Sequence, residues 1–290
     1  MPDAILSPQA ERLAQHSAAC RRAGLDRLVL VLSFDCDTPE DADAALELLP
    51  ELQRLHMQAS FAVPGAQLLA HPGQYREVLA RGGRFINHGG LPHAERCEPL
   101  YRGVTFYSDM SPAEVVADMR EGHRLVQEVL GVTPQGFRAP HFGCFQQPDQ
   151  LALLYATARA LGYGFCSTTL PALGLEQGGL IQAGEGLFEF PVSGSLHDPL
   201  TPLDSWNYLA NHEAPELREY VLKQDYCRIL LETVDFFLER GLPGVLNYYA
   251  DPAHVRGAKP FSEALAGLAR RGVPVVDLHD LAALASGLRG

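Results

Sequence analysis

The sequence has no stretch approaching the ~18 uninterrupted apolar residues of a membrane span, which excludes a helical integral membrane protein. It also has no C-x-x-C pair. Its six cysteines (Cys20, Cys36, Cys97, Cys144, Cys166 and Cys227) are scattered, which argues against a zinc ribbon or a redox couple and predicts reduced, mostly buried thiols. Neither G-x-x-x-x-G-K-[ST] nor G-x-G-x-x-G occurs, so a nucleotide cofactor is not expected. Positive charge is scarce: 23 Lys and Arg stand against 35 Asp and Glu, and the net charge of -12 would repel a phosphate backbone. Nucleic acid is therefore not an expected partner. The first twenty residues show no basic region followed by an apolar one, because Asp3, Glu11, Arg12, Gln15 and His16 interrupt them. No signal peptide is read there, and a cytoplasmic protein is expected. The elbow G-x-S-x-G is missing too, so Ser195 in Gly194-Ser195-Leu196-His197 reads as a turn residue rather than a nucleophile.

What is present is an ordinary globular balance, 47% hydrophobic and 20% charged over 290 residues, enough for one barrel or two modest domains. Ser7-Pro8 opens a helix over 8–23. The continuous apolar run Leu28–Phe34 reads as a strand buried on both faces. Thr38-Pro39-Glu40-Asp41 then caps an amphipathic helix reaching Leu55. The unit recurs: strand 59–63 before helix 67–81, Phe85-Ile86 before a long loop and helix 112–130, and 136–138 before helix 150–161. Further short strands are expected at 164–167, 188–192, 245–249 and 274–276. Alternating strands and helices without a low-complexity linker predict a single closed or nearly closed parallel α/β barrel.

In such a barrel the chemistry sits at the C-terminal strand ends. Those ends are unusually polar here. Asp35 and Asp37 follow the first strand, His88 and His93 the third, and Arg138-Ala139-Pro140-His141 the next. A helix cap needs only one of the two acids, and alternating positions in an extended segment point the same way. His88 and His93 flank Gly89-Gly90-Leu91-Pro92, whose glycines let the backbone bend both rings toward one point. Two imidazoles and a carboxylate with open positions make a catalytic site for zinc or another divalent first-row metal. The isolated His16, His56 and His123 are assigned to surface or core packing, and Phe236, Phe237, Tyr248 and Tyr249 to the core. Trp206, the only tryptophan, follows Asp204 in a loop-like segment and can line a ligand groove.

Together these segments resemble the polysaccharide deacetylase family of the NodB-homology type, which also contains hydrolases of other non-peptide amides. Ser33-Phe34-Asp35-Cys36-Asp37 resembles its first motif, Asn87-His88 with His93 its metal-histidine motif, and Phe137-Arg138-Ala139-Pro140-His141-Phe142-Gly143 its arginine-proline motif. Asp251-Pro252-Ala253-His254-Val255-Arg256-Gly257 resembles its closing His-Pro-x-x-x-x-Gly segment. The resemblance implies a single-domain distorted (β/α)7 barrel over residues 27–290, preceded by an N-terminal helical extension, 1–26. It further implies a divalent metal on Asp37, His88 and His93, a general base at Asp35, and an orienting role for Arg138.

This chain departs from the pattern in three places. Its histidines stand five apart instead of four, so the loop must bulge or one ligand must be lost. His141 occupies a position commonly held by tyrosine. Asp251 stands where the family has the histidine that protonates the leaving amine, and an aspartate serves there only with a raised pKa; His254 is the nearby substitute. His141, Asp204 and Trp206 are the expected substrate contacts. The expected activity is metal-dependent deacetylation of an N-acetylated sugar or polysaccharide precursor. The alternatives are hydrolysis of a small cyclic or linear amide of the ureide type, and a degenerate member that only binds. A carbohydrate or small amide is thus the expected partner, and a homo-oligomer is compatible with the sequence.

Overall fold

The structure, a computed structural model, describes residues 6–97, 100–210 and 220–288. Its strands are β1 (Leu28–Asp35), β2 (Ser60–Val63), β3 (Arg84–Asn87), β4 (Ala94–Cys97), β5 (Leu100–Gly103), β6 (Gly136–Phe137), β7 (Phe165–Cys166), β8 (Ile181–Gly184), β9 (Leu187–Glu189), β10 (Gly244–Ala250) and β11 (Val275–Val276). Among the described residues, the parallel path runs through seven of them in the order β10-β1-β2-β3-β6-β7-β9. Strand β8 is an antiparallel hairpin partner of β9, and β11 pairs with the first half of β1. The seam between β9 and β10 is closed by the segment after β9. There Ser193 N donates to Asn247 O at 2.8 Å, and Asn247 Nδ2 donates to Phe190 O at 2.9 Å. The expected distorted (β/α)7 barrel is the fold observed.

Local chemistry explains the elements that position the mouth. Every residue of β1 is buried, as expected of a strand covered on both faces. It runs into the helix Pro39–Arg54, whose start is tied by Asp41 Oδ2 accepting from Thr38 N at 2.8 Å and from its hydroxyl at 2.7 Å. The helix Pro112–Leu130 has the expected bounds, with a Ser111/Glu114 capping box and Gly131 at φ +71° ending it.

Where one helix was expected over 67–81 there are two, Gly65–Ala70 and Pro72–Ala80. Pro72 lacks the N–H that would continue the first helix and suits the first turn of a second. The expected strands at 164–167 and 188–192 shorten to β7 and β9. Their flanking residues leave the ladder to make the loop contacts described below.

The helix Pro8–Arg22 begins at Ser7, whose hydroxyl accepts from Ala10 N at 3.3 Å. It buries Ala10 and Leu13 in the main core. His16 is buried as well, with Nδ1 2.7 Å from Gly174 O and Nε2 accepting from Val245 N at 3.3 Å, which docks the helix where β10 begins. Residues 1–5 of the expected extension, Asp3 included, lie outside the described residues.

Candidate metal and catalytic site

Strand β1 delivers Asp35 at its last position and Asp37 two residues on. Arg138, just past β6, is wholly buried and donates from Nη1 to Asp35 Oδ1 at 2.6 Å. Its Nη2 donates to Ser167 Oγ at 3.1 Å, and its guanidinium carbon lies 5.5 Å from the ring centres of both Phe142 and Tyr249. Burial pushes the Asp35 carboxyl up to about 6, although the adjacent Arg138 pulls the other way. A buried guanidinium holding one oxygen leaves Oδ2 as the free acceptor, 4.0 Å from His88 Nε2.

His88 follows β3 and His93 precedes β4. The five-residue spacing is accommodated by a bulged loop in which both rings are retained, their centres 4.3 Å apart. Gly89 sits at φ +81°, and a Cβ there would come within 2.3 Å of Asp118 Oδ2. Asp118, on the inner face of helix Pro112–Leu130, braces this bulge. Its Oδ1 accepts from Gly90 N at 2.9 Å and Leu91 N at 2.8 Å, and its Oδ2 from Tyr107 OH at 2.6 Å. From the other side, Gly65 N and Ala66 N donate to the carbonyls of Gly89 and Gly90, each at 2.9 Å.

Asp37, His88 and His93 each offer one ligand atom to a common point, all within 4.8 Å of one another. Asp37 Oδ1 lies 3.5 Å from His88 Nε2 and 3.1 Å from His93 Nδ1. The donor set fits a divalent metal on two further observations. His88 Nδ1 lies 2.8 Å from Arg138 O, and as the donor it leaves the Nε2 lone pair facing Asp37. His93 Nε2 is buried without a hydrogen-bond partner. Burial and the neighbouring His93 push His88 well below the ordinary imidazole value, so it is neutral, the form that ligates.

Asp251 follows β10. Its side chain is 1% exposed and both carboxyl oxygens are buried without a hydrogen-bond partner. Burial, reinforced by Asp41, Asp37 and Asp35, pushes this carboxyl well above the ordinary range. An aspartate so placed favours its protonated form. His254 Nδ1 lies 3.9 Å from Asp251 Oδ2 and 3.0 Å from Ser205 Oγ. Its ring is packed between Trp206 and Tyr220, each 4.3 Å away, and burial pushes it down to about 3.

The three expected substrate contacts are placed differently from one another. His141, at φ +52°, stacks on Phe106 at 4.3 Å with Nε2 2.6 Å from Val104 O, and its ring centre is 5.8 Å from that of His93. Trp206 is 38% exposed beside His254. Asp204 is turned inward, its oxygens accepting from Asn207 N, Asn207 Nδ2 and Tyr249 OH, with burial raising it to about 6. It secures the Ser205 loop that holds Asp251 N at 3.0 Å. Tyr249, read from the sequence as core, is buried but faces Arg138 and Asp204; Phe236, Phe237 and Tyr248 are core. Ser195 closes a turn with Asp198, as expected.

Sequence reasoning missed Asp118, Asn87 as a brace, Ser167 and Ser205. Asn87 Nδ2 donates to Met119 O and Tyr163 OH while its Oδ1 accepts from Gly89 N. Asp118 carried a signal: it falls among the apolar positions Val115, Met119, Gly122 and Leu125 of its helix, where a charge requires partners.

The parallel barrel thus brings two carboxylates, two imidazoles and a buried guanidinium to one mouth. Residues 23–161, just under half of the chain, match the sequence model of the polysaccharide deacetylase family. Members of the family are hydrolases of acetyl amides and are generally metal-dependent. Among solved structures, the chain is similar to a Mycobacterium smegmatis protein assigned to the polysaccharide deacetylases, at 17% identity and TM-score 0.66 over 91% of this chain and 92% of that one. It is similar to a polysaccharide deacetylase from Bacillus cereus, at 17% identity and TM-score 0.53 over 87% and 93%. It is also similar to a family 4 carbohydrate esterase pseudoenzyme from Bacillus anthracis, at 13% identity and TM-score 0.51 over 89% and 66%. No curated protein matches the sequence. Among the described residues no helix is long and apolar enough to cross a membrane.

Proposed function

We propose that this chain is a metal-dependent hydrolase that removes the acetyl group from an N-acetylated sugar. Its strongest support is the convergence of Asp37, His88 and His93 beside the Asp35–Arg138 pair at the open ends of β1, β3 and β6. Asp37, His88 and His93 would hold zinc or a neighbouring first-row ion. Such an ion supplies Lewis-acid polarisation of an acyl oxygen and lowers the pKa of a water to ~7.

The chain's own residues supply the proton transfers. Asp35, with Oδ1 fixed by Arg138, accepts through Oδ2 the proton of the water that attacks the acyl carbon. As the C–N bond breaks, Asp251 gives its proton to the departing nitrogen, so that water is added across the amide and acetate and a free amine leave. Asp251 is preferred to His254 because burial and the neighbouring acids raise its carboxyl well above the ordinary range and so favour its proton-bearing form, whereas burial lowers His254, whose Nδ1 lies 3.0 Å from Ser205 Oγ.

The test is acetate release from N-acetylglucosamine by the metal-loaded protein. Turnover abolished by chelation and restored by added metal supports the proposal. Metal binding with no turnover on any acyl amide would leave a binding member of the family instead.

A further inference from the structure

Asp251 stands at the N-cap of the short helix Pro252–Val255, where an aspartate ordinarily accepts from the backbone N–H two or three residues on. Here it does not. Ala253 N donates instead to Asp41 Oδ1 at 2.9 Å, in the first turn of the helix that follows β1. Asp41 is itself wholly buried, and its Oδ2 accepts from Thr38 N at 2.8 Å and from the Thr38 hydroxyl at 2.7 Å. Of these two buried acids, one therefore receives three donors and the other none. Donors favour the charged form of a carboxyl and their absence favours the proton-bearing form, so the negative charge of the pair falls to Asp41 and the proton to Asp251. Burial raises both carboxyls in that order, Asp41 to about 7 and Asp251 well above the ordinary range, and Asp41 is the neighbouring charge that acts most strongly on Asp251. Two further acids face Asp251 from the end of β1, and both have other partners: Asp35 is paired with Arg138, and Asp37 faces the imidazoles. Asp204, two residues before Trp206, is engaged by Asn207 and Tyr249. His254, Tyr220, Tyr249 and Cys36 also lie near Asp251, and burial keeps each of them neutral around neutral pH.

We propose that Asp41 is the positioning residue of the acid step: by taking the Ala253 N–H it releases the Asp251 carboxyl from its cap, and its charge holds the transferable proton there. This rests on the hydrolase reading above, in which Asp251 protonates the departing nitrogen. Asp41 touches no reacting atom in that scheme and acts through Asp251 in two ways. Its bond to Ala253 fixes the turn that presents Asp251. Its negative charge makes ionisation of Asp251 costlier until the nitrogen of the breaking bond becomes the better proton acceptor.

Infrared difference spectra of the metal-loaded parent minus Asp251→Asn, taken across pH, isolate the carbonyl stretch of protonated Asp251 and read its titration midpoint. In the Asp41→Asn background, referenced to the double variant Asp41→Asn/Asp251→Asn, that midpoint should fall by ~1 pH unit or more, the scale on which a nearby charge acts. The basic limb of kcat for acetate release from N-acetylglucosamine should move down with it, with KM unchanged. A loss of stability or activity that leaves the midpoint in place would make Asp41 a structural residue only and overturn the proposal, whether or not the parent turns over. A parent spectrum with no protonated band that Asp251→Asn removes would overturn it at the outset. Asp41→Ser, also neutral but smaller, is read in the same way should Asp41→Asn fail to fold. A midpoint that shifts in a protein without turnover would leave Asp41 in control of the Asp251 proton while the hydrolase reading fails alone.

Discussion

Arg138 donates to Asp35 at 2.6 Å from a position with no solvent exposure, so that carboxylate is held by a cation buried inside the barrel. A guanidinium stays protonated at any working pH and cannot itself ligate a metal. It divides the labour of the two acids at the end of β1: Asp35 is bound to Arg138, and Asp37 faces the imidazoles.

Asp35→Asn should therefore retain bound metal while turnover falls by ~100-fold or more, the scale of general-base catalysis. Elemental analysis and acetate release measured on the same preparation check it. Loss of metal would make Asp35 a ligand, and retained turnover would remove it from the chemistry.

Asp251→Asn tests the acid. It should reduce turnover severely, and His254→Ala should be the milder change; the reverse order would move the role to His254. If the family's histidine is what this chain does without, Asp251→His should be active with an altered pH profile.

The same carboxyl gives a stability prediction. Its folded pKa lies well above the unfolded value of ~3.9, so between those two values the folded state holds a proton that the unfolded state has lost. Stability from this group is thus complete below ~4 and declines by ~1.4 kcal/mol per pH unit until the folded pKa is passed. Asp251→Asn cannot ionise, so its melting temperature should gain on the parent's as the pH rises above ~4. Parallel pH curves for the two proteins would refute the buried, protonated assignment.

Asp118→Ala leaves Gly90 N, Leu91 N and Tyr107 OH without their acceptor. With buried unsatisfied groups costing about 1–3 kcal/mol each, a loss of roughly 3 kcal/mol is expected in denaturant unfolding. Metal affinity should also fall ~10-fold to 100-fold, as it does when ligand-supporting contacts are lost. Unchanged affinity would mean that the histidine loop holds its shape without this brace.

The barrel was legible because its strongest signals are local. Leu28–Phe34 cannot be anything but a doubly buried strand, and Thr38/Asp41 and Ser111/Glu114 announce their helices at the right residues. The grouping of Asp37, His88 and His93 and the Asp35–Arg138 pair were legible because polar residues cluster at strand ends. The braces were not, since Asp118, Ser167 and Ser205 act largely through contacts far away in sequence, such as Asp118 with Leu91, Ser167 with Arg138 and Ser205 with His254. The hairpin β4–β5 was missed for a different reason. Ala94-Glu95-Arg96-Cys97 has no apolar alternation, because its described positions are exposed or half-buried and no core selects one face. Helix 67–81 was overextended because apolar spacing continues past Pro72 while the backbone does not.

The sharpest discriminator is the metal content of His88→Ala beside the parent, both loaded with zinc, desalted and measured by elemental analysis. With Asp37, His88 and His93 as the ligand set, the parent carries one divalent ion per chain and the variant loses tight binding. Equal loading of the two proteins would show that the ion, if bound, sits elsewhere, and the proposed centre would have to be abandoned.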